Sequence, residues 1–153
     1  MIQPDPDALQ ASRETHVGRL LQNAARNFNA RALAGMHALG HTQLTPAHLN
    51  LLPYLDVQGG RITTLAERAG MTKQAAGQLV AELEARGYLT RQADPTDGRA
   101  ARIVFTELGT RFLLDAQTLK REIEAEYRVW LGPELWDALQ AALTLLAGAT
   151  SSV

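Results

Sequence analysis

Gln74 and Gln78 stand one helical turn apart in a stretch whose apolar residues recur at helical spacing. A carboxamide pairs bidentately with the N6 and N7 edge of adenine, so two on one exposed helix face suit base readout in a DNA major groove. Thr72 and Lys73 precede them at the helix start, where free amides and the helix dipole favour phosphate oxygens. Gly77 and Ala81 are small enough for such a helix to sit deep in the groove. Downstream, Asp94-Pro95-Thr96-Asp97-Gly98-Arg99 puts Pro at a turn's second position and Gly where positive φ is needed. Arg99 at the tip suits a minor groove, where a narrow A·T-rich stretch concentrates negative potential. Asp97 would brace the turn and orient that arginine, while Arg91 and Arg102 are candidates for phosphate contacts. Each feature also has an ordinary account: exposed glutamines are common solvated surface, and such a turn is commonly only a hairpin. Their juxtaposition is what points to DNA.

Other chemistries find less support. There is no cysteine, which excludes disulfides, thiolate zinc sites, iron–sulfur clusters and cysteine-based redox sensing. His37 and His41 have a spacing that binds zinc on a helix face, but His41 follows Gly40 at the expected helix end and no third ligand is near. No metal site is expected. Asp94 and Asp97 fall on a turn expected to be exposed, without the apolar enclosure that shifts a carboxyl pKa, so turn formation accounts for them better than catalysis. No Ser-His-Asp order, phosphate loop or dinucleotide fingerprint is present, and neither an enzyme nor a cofactor is expected.

The elements that must position these residues follow in order along the chain. Asp5-Pro6 has the form of a cap followed by a first-turn proline. From Leu9 through Val17, Leu20, Ala24, Phe28, Leu33 and Met36 the apolar spacing predicts one long helix ending near Gly40. At roughly 30 residues it would run about 45 Å, a length that usually packs against a partner chain. Thr45-Pro46 opens a second helix, which Pro53 is expected to bend and Gly59-Gly60 to end. A short extended piece over Arg61 to Thr63 precedes Thr64-Leu65-Ala66-Glu67, which fits a capping box for a short helix stopped by Gly70. Thr72 caps the next helix, which runs to Arg86 and closes on Gly87. On its wheel Ala76, Leu79, Val80 and Leu83 gather on one side, with Gln74, Gln78, Ala81 and Ala85 opposite. Helix, tight turn, helix is the spacing of a helix-turn-helix. Tyr88 to Gln92 and Ala101 to Phe105 are strand-like and flank the polar turn as a hairpin. Thr106 caps a second long helix, broken at Gly132-Pro133, before a last helix with Leu135, Trp136, Leu139, Leu143 and Leu146. The tail from Gly148 is expected to fray.

The fold class is therefore mainly α with a small β-hairpin wing. A winged helix-turn-helix domain over 45–109 lies between dimerisation helices over 1–44 and 110–153. A chain of 153 residues, 46% hydrophobic and 20% charged, is long enough for a real core. Net charge is −1, but Arg61 to Arg111 holds eight basic and six acidic residues, a mild positive bias. No apolar run approaches the roughly 20 residues of a membrane span, and Met1 to Asp7 lacks the apolar core of a signal peptide. A cytoplasmic location is expected.

Residues 64 to 109, from Thr64-Leu65-Ala66-Glu67 through Gly87-Tyr88-Leu89-Thr90-Arg91 and Asp94-Pro95-Thr96-Asp97-Gly98-Arg99 to Leu108-Gly109, resemble the MarR family of transcriptional regulators. The wing signature at this distance from the recognition helix is highly specific, and the flanking helices match the family's layout. The resemblance implies a homodimer built by N- and C-terminal helices, bound to pseudo-palindromic double-stranded DNA, usually as a repressor. It also implies a small aromatic or phenolic effector held between the dimerisation and DNA-binding parts, which weakens DNA binding. Thr72, Lys73, Gln74 and Gln78 would then be the reading residues and Arg99 the wing arginine. The family's cysteine-dependent peroxide sensing is excluded by composition. His16 and His48 are candidates for the effector cleft, since neutral imidazole hydrogen-bonds a phenol or carboxylate, with Tyr54 and Trp130 as aromatic walls. Core or interface packing is the plainer account of each. The alternative function is a winged-helix module that binds protein and has lost DNA readout, which the modest positive charge keeps open.

Overall fold

The computed structural model describes Asp5, Asp7 and residues 13–148, Arg99 by its backbone alone. The elements are α1 (Val17–Ala38), α2 (Pro46–Leu51), a 3₁₀ turn (Leu52–Tyr54), α3 (Ile62–Arg68), α4 (Lys73–Ala85), β1 (Leu89–Asp94), β2 (Asp97–Phe105) and α5 (Glu107–Gly148). The tail expected to fray beyond Gly148 lies outside the described residues.

The single helix expected from Asp5 to Gly40 is interrupted. His16 is extended (ψ 132), and its Nδ1 accepts the Gly18 amide at 3.1 Å, so α1 begins at Val17. A histidine capping its own helix is not a common cap signal, and the unbroken apolar spacing hid it. Thr45 and Pro46 do start α2: the Thr45 hydroxyl accepts the His48 amide while His48 Nδ1 accepts the Thr45 amide, a reciprocal cap. Pro53 lacks a donor, and the chain continues there as a 3₁₀ turn. The capping box expected at Thr64 does not form. The cap position lies three residues earlier, at Arg61, with no side-chain cap bond. Of the piece expected to be extended over Arg61 to Thr63 only Arg61 is so, beside a bridge at Gly60.

Thr72 caps α4 by accepting the Ala75 amide at 3.1 Å. The helix closes at Gly87 (φ 78), where the Tyr88 amide reaches back to the Leu83 carbonyl at 2.9 Å. The hairpin is tighter than expected: the strands run to Asp94 and Asp97, leaving only Pro95 and Thr96 between them. Leu89 pairs with Phe105 and the register holds to Ala93 and Ala101, then shifts before Asp94. Along the far edge of β2, Gly60 pairs with Ile103 through amide–carbonyl bonds of 2.9 and 2.8 Å. Gly59 (φ 84) must be glycine, because a Cβ there would sit 2.4 Å from the Ile103 carbonyl oxygen.

Thr106 caps α5 through the Gly109 amide. Gly132 is non-helical (φ 75, ψ 166) and, with Pro133 after it, breaks α5 into two helical segments as expected. The core gathers Met36, Leu44, Leu51, Leu52, Leu65, Ala76, Val80, Leu83, Leu89, Ile103 and Phe112 from every element. α1 lies so close to α5 that a Cβ on Gly35 would come 2.6 Å from the Leu119 methyls. Beyond this core both long helices carry apolar residues into solvent: Val129 is 82% and Trp130 68% exposed, with Leu135 and Leu145 similarly open. Among the described residues no helix is long and apolar enough to cross a membrane.

Candidate nucleic-acid interface

Helix α4 is divided as its periodicity predicts. Ala76, Val80 and Leu83 are fully buried, and Gln74, Gln78, Ala81 and Ala85 are exposed on the other side with Lys73. The Thr72 oxygen is spent on its cap, which leaves its proton free to donate outward. A Cβ on Gly77 would meet nothing within 4 Å, so no internal packing requires glycine there. The Gln78 amide lies 3.5 Å from a Glu82 oxygen, at the limit of a hydrogen bond, and keeps its reach.

The acidic residues of α4 face inward partners. Glu82 lies 3.0 Å from His48 Nε2 and 3.3 Å from Arg86. The His48 contact first, and Arg86 after it, hold its carboxyl below the usual range. Glu84 accepts from Arg91 Nε at 2.9 Å. Arg91, expected to reach phosphate, is thus half-exposed but committed to α4.

The wing base is organised around Asp94. Far from exposed, this carboxylate is 92% buried in effect, only 8% of it remaining accessible. Its Oδ1 accepts the Thr96 amide at 2.9 Å and the Thr96 hydroxyl at 2.6 Å, and its Oδ2 accepts from Arg61 Nε at 2.7 Å. Thr96 and then Arg61 hold the carboxyl far below the ordinary carboxylate range. Asp94 thus braces the turn, and Asp97 lies 3.8 Å from Arg61 Nη2. Arg102 was expected at phosphate, but its Nη2 donates to the Gln58 carbonyl at 2.5 Å and points at Gly59. That arginine docks β2 on the loop before α3. Arg99 stands in β2 just after the turn, and its side chain lies outside the described residues.

Two contributors were missed in sequence. Asp94-Pro95-Thr96 carries an Asx-turn signal that would have pointed to Asp94 as a brace. Arg61 lies 33 positions from its partner, and no local pattern could have joined them.

The four effector candidates fall elsewhere than in a cleft. His16 caps α1 on the surface, and Tyr54 is about half-exposed on the 3₁₀ turn. His48 is 0% exposed, locked between Thr45 and Glu82, and lines neither cavity described below. Burial lowers its pKa most, and Glu82 opposes the shift. Trp130 packs its ring on Tyr127 (5.4 Å) and under Arg31 (5.2 Å). A cavity of about 280 Å³ lies between α1, the α2 turn and α5, walled by Phe28, Met36, Leu52 and Phe112, with Asn29, Gln117 and Lys120 as its polar groups. A wider groove of about 660 Å³ follows α1 to the far half of α5, past Leu21, Trp136, Leu139 and Leu143.

Neither histidine of the suspected zinc pair is available. His37 Nε2 is 2.8 Å from the Leu44 carbonyl, and buried His41 joins the Tyr88 hydroxyl (2.9 Å) to Asp115 (3.0 Å). No group of three metal-ligating side chains occurs among the described residues.

Comparison with known proteins agrees with this geometry. The sequence model of the MarR family matches residues 42–100. The chain is similar to the transcriptional repressor CouR solved on a 23-mer DNA duplex, at 28% identity over 89% of this chain and 95% of that one, with a TM-score of 0.70. It is similar to the transcriptional regulator Tm0710 of Thermotoga maritima, at 27% identity over 88% and 93% of the chains (TM-score 0.58). CouR of Rhodococcus jostii RHA1 bound to p-coumaroyl-CoA shares the fold at 23% identity, over 88% and 93% (TM-score 0.68). No curated protein matches the chain.

Proposed function

Since the chain belongs to the MarR family of winged-helix transcription regulators, DNA-binding proteins and not enzymes, we propose that it acts as a homodimeric repressor released by a small ligand. It binds a pseudo-palindromic operator, with α4 in the major groove and the wing in the adjoining minor groove. The observation that carries this reading is the division of α4. Gln74 and Gln78 stand exposed beside an open Gly77, while Ala76, Val80 and Leu83 on the opposite face are buried and Leu79 partly so. Thr72 and Lys73 supply phosphate contacts, Gln74 and Gln78 base contacts, and Arg99 the minor-groove contact. Residues 45–109 form the reading domain, and residues 1–44 and 110–153 join two copies. The exposed apolar faces of α1 and distal α5 support that pairing, since surface of this kind is usually covered.

Release by an aromatic or phenolic ligand finds support in the 280 Å³ cavity between the pairing helices and the reading domain. Its walls are apolar, and Lys120, Gln117 and Asn29 can orient a phenolate or carboxylate. The same fold holds p-coumaroyl-CoA in CouR.

The test is selection of duplexes from a randomised pool by purified protein, followed by titration at several salt concentrations. A two-fold symmetric consensus is expected, with half-sites about one helical turn apart and affinity falling steeply with salt. Weak, sequence-independent binding would overturn the reading and favour a protein-binding winged helix.

A further inference from the structure

We propose that Arg61 is a positioning residue that sets the attitude of the wing relative to α4, and with it the match between major-groove and minor-groove contacts. The inference rests on the DNA-reading function above. Arg61 occupies the cap position of α3 with extended backbone (φ −83, ψ 146), yet its side chain caps nothing there. It reaches instead to the wing, Nε to Asp94 Oδ2 at 2.7 Å and Nη2 to Asp97 at 3.8 Å. Asp94 divides its two oxygens: Oδ1 holds the turn through Thr96, and Oδ2 holds that turn to the helix-turn-helix.

The neighbouring chain explains why this one tie matters. The base of β2 is docked by the Gly60–Ile103 pair and by Arg102 on the Gln58 carbonyl. On β1 the Arg91–Glu84 pair, opposite Ile103, ties the hairpin base to α4. Beyond Arg102 the strands of the described residues form a two-stranded ribbon, which by itself is marginal. The register shift next to Asp94 loosens it further. Arg61–Asp94 is where the outer hairpin is joined to α3, which packs directly on α4. Cutting it frees the wing to swing while leaving the core untouched. Arg61 is 44% exposed, so solvent screens the pair, and Asp94, though only 8% exposed, keeps both Thr96 hydrogen bonds without it. The loss of stability should be small beside the loss of reading.

The experiment uses the full chain and the duplex that wild type selects from the randomised pool. A second duplex has the flanking minor-groove segments replaced by G·C pairs. Affinities, hydroxyl-radical footprints and thermal unfolding are measured for wild type, Arg61→Met and Arg61→Lys. Wild type should prefer the selected flanks by about tenfold. Arg61→Met should lose most of that preference and its flank protection, keep the protection under α4, and melt within a few degrees of wild type. Arg61→Lys, which restores the charge but not the forked donor, should recover part of the preference. The inference is overturned if Arg61→Met keeps the flank preference, or if flank and central protection fall together with stability. Should Arg61→Met not fold, an Arg61→Lys protein with unaltered flank preference also overturns it. If wild type itself selects no consensus, it is the DNA-reading function that fails, before any variant is compared.

Discussion

Lys73 and Gln78 face solvent from the same helix, yet DNA would use them differently. The ammonium meets phosphate and carries no sequence information, whereas the carboxamide meets a base edge. Gln78→Ala should relax preference at one position of each half-site by about 1–3 kcal/mol, read by competition among single-base variants. Lys73→Ala should weaken all duplexes alike and lower the salt slope by about one. His48 makes a different prediction, on stability. Its Nδ1 accepts the Thr45 amide, which leaves the proton on Nε2 facing Glu82, with Arg86 beside it. Burial lowers its pKa in the folded state. Between the lowered value and the ordinary value of about 6.5, the unfolded chain binds more protons. The stabilisation is therefore complete above that ordinary value and is lost as pH falls through the window below it. Thermal unfolding should show wild type weakening on acidification below about pH 6.5, with a shallower slope in His48→Gln. An unchanged slope would place the titration elsewhere.

At the scale of elements, two glycines separate packing from recognition. A Cβ on Gly109 would lie 2.1 Å from the Tyr88 carbonyl oxygen, backbone that cannot step aside without moving β1 from α5. Gly109→Ala should cost about 1–3 kcal/mol or more in denaturant unfolding. Gly77 lies inside α4 with open space where a Cβ would go. Gly77→Ala should stabilise the fold by about 0.5–1 kcal/mol and weaken DNA binding, because the added methyl stands where the groove would come. A variant that gains stability and keeps its affinity would remove Gly77 from the interface. The starts of α2, α4 and α5 were readable because a Thr cap acts within three residues. The starts of α1 and α3 were not: His16 gave no usual signal, and Arg61 does not cap α3 at all.

Among the described residues, exposed apolar side chains gather on α1 and distal α5, the helices that wall the 660 Å³ groove. Two copies joined there would hold two α4 helices at a fixed separation, which is how weak half-site contacts become one tight event. Leu135→Glu with Leu145→Glu alters only solvent-exposed positions of the single chain. Sedimentation should show a dimer for wild type and a monomer for this variant. Operator affinity should drop by about a hundredfold or more, with melting of the reading domain preserved. A variant that remains dimeric would place the pairing surface elsewhere.

Periodicity, caps and turn chemistry act over a few residues, so the sequence alone determined that this chain would fold as helices around a helix-turn-helix and a hairpin. It also determined which side of α4 would face outward, since 100° per residue leaves no choice once Ala76, Val80 and Leu83 are buried. Which charges remain for a partner was decided by tertiary structure. Arg91 was taken by Glu84, Arg102 by the loop at Gln58, and Arg61 by Asp94. The cavity's lining was likewise decided by the approach of α1 to α5, which brought Phe28 to Phe112 and left His48 sealed. Such pairings depend on how distant segments cross in space, and a long arginine side chain can reach several partners. Only the packed chain selects among them.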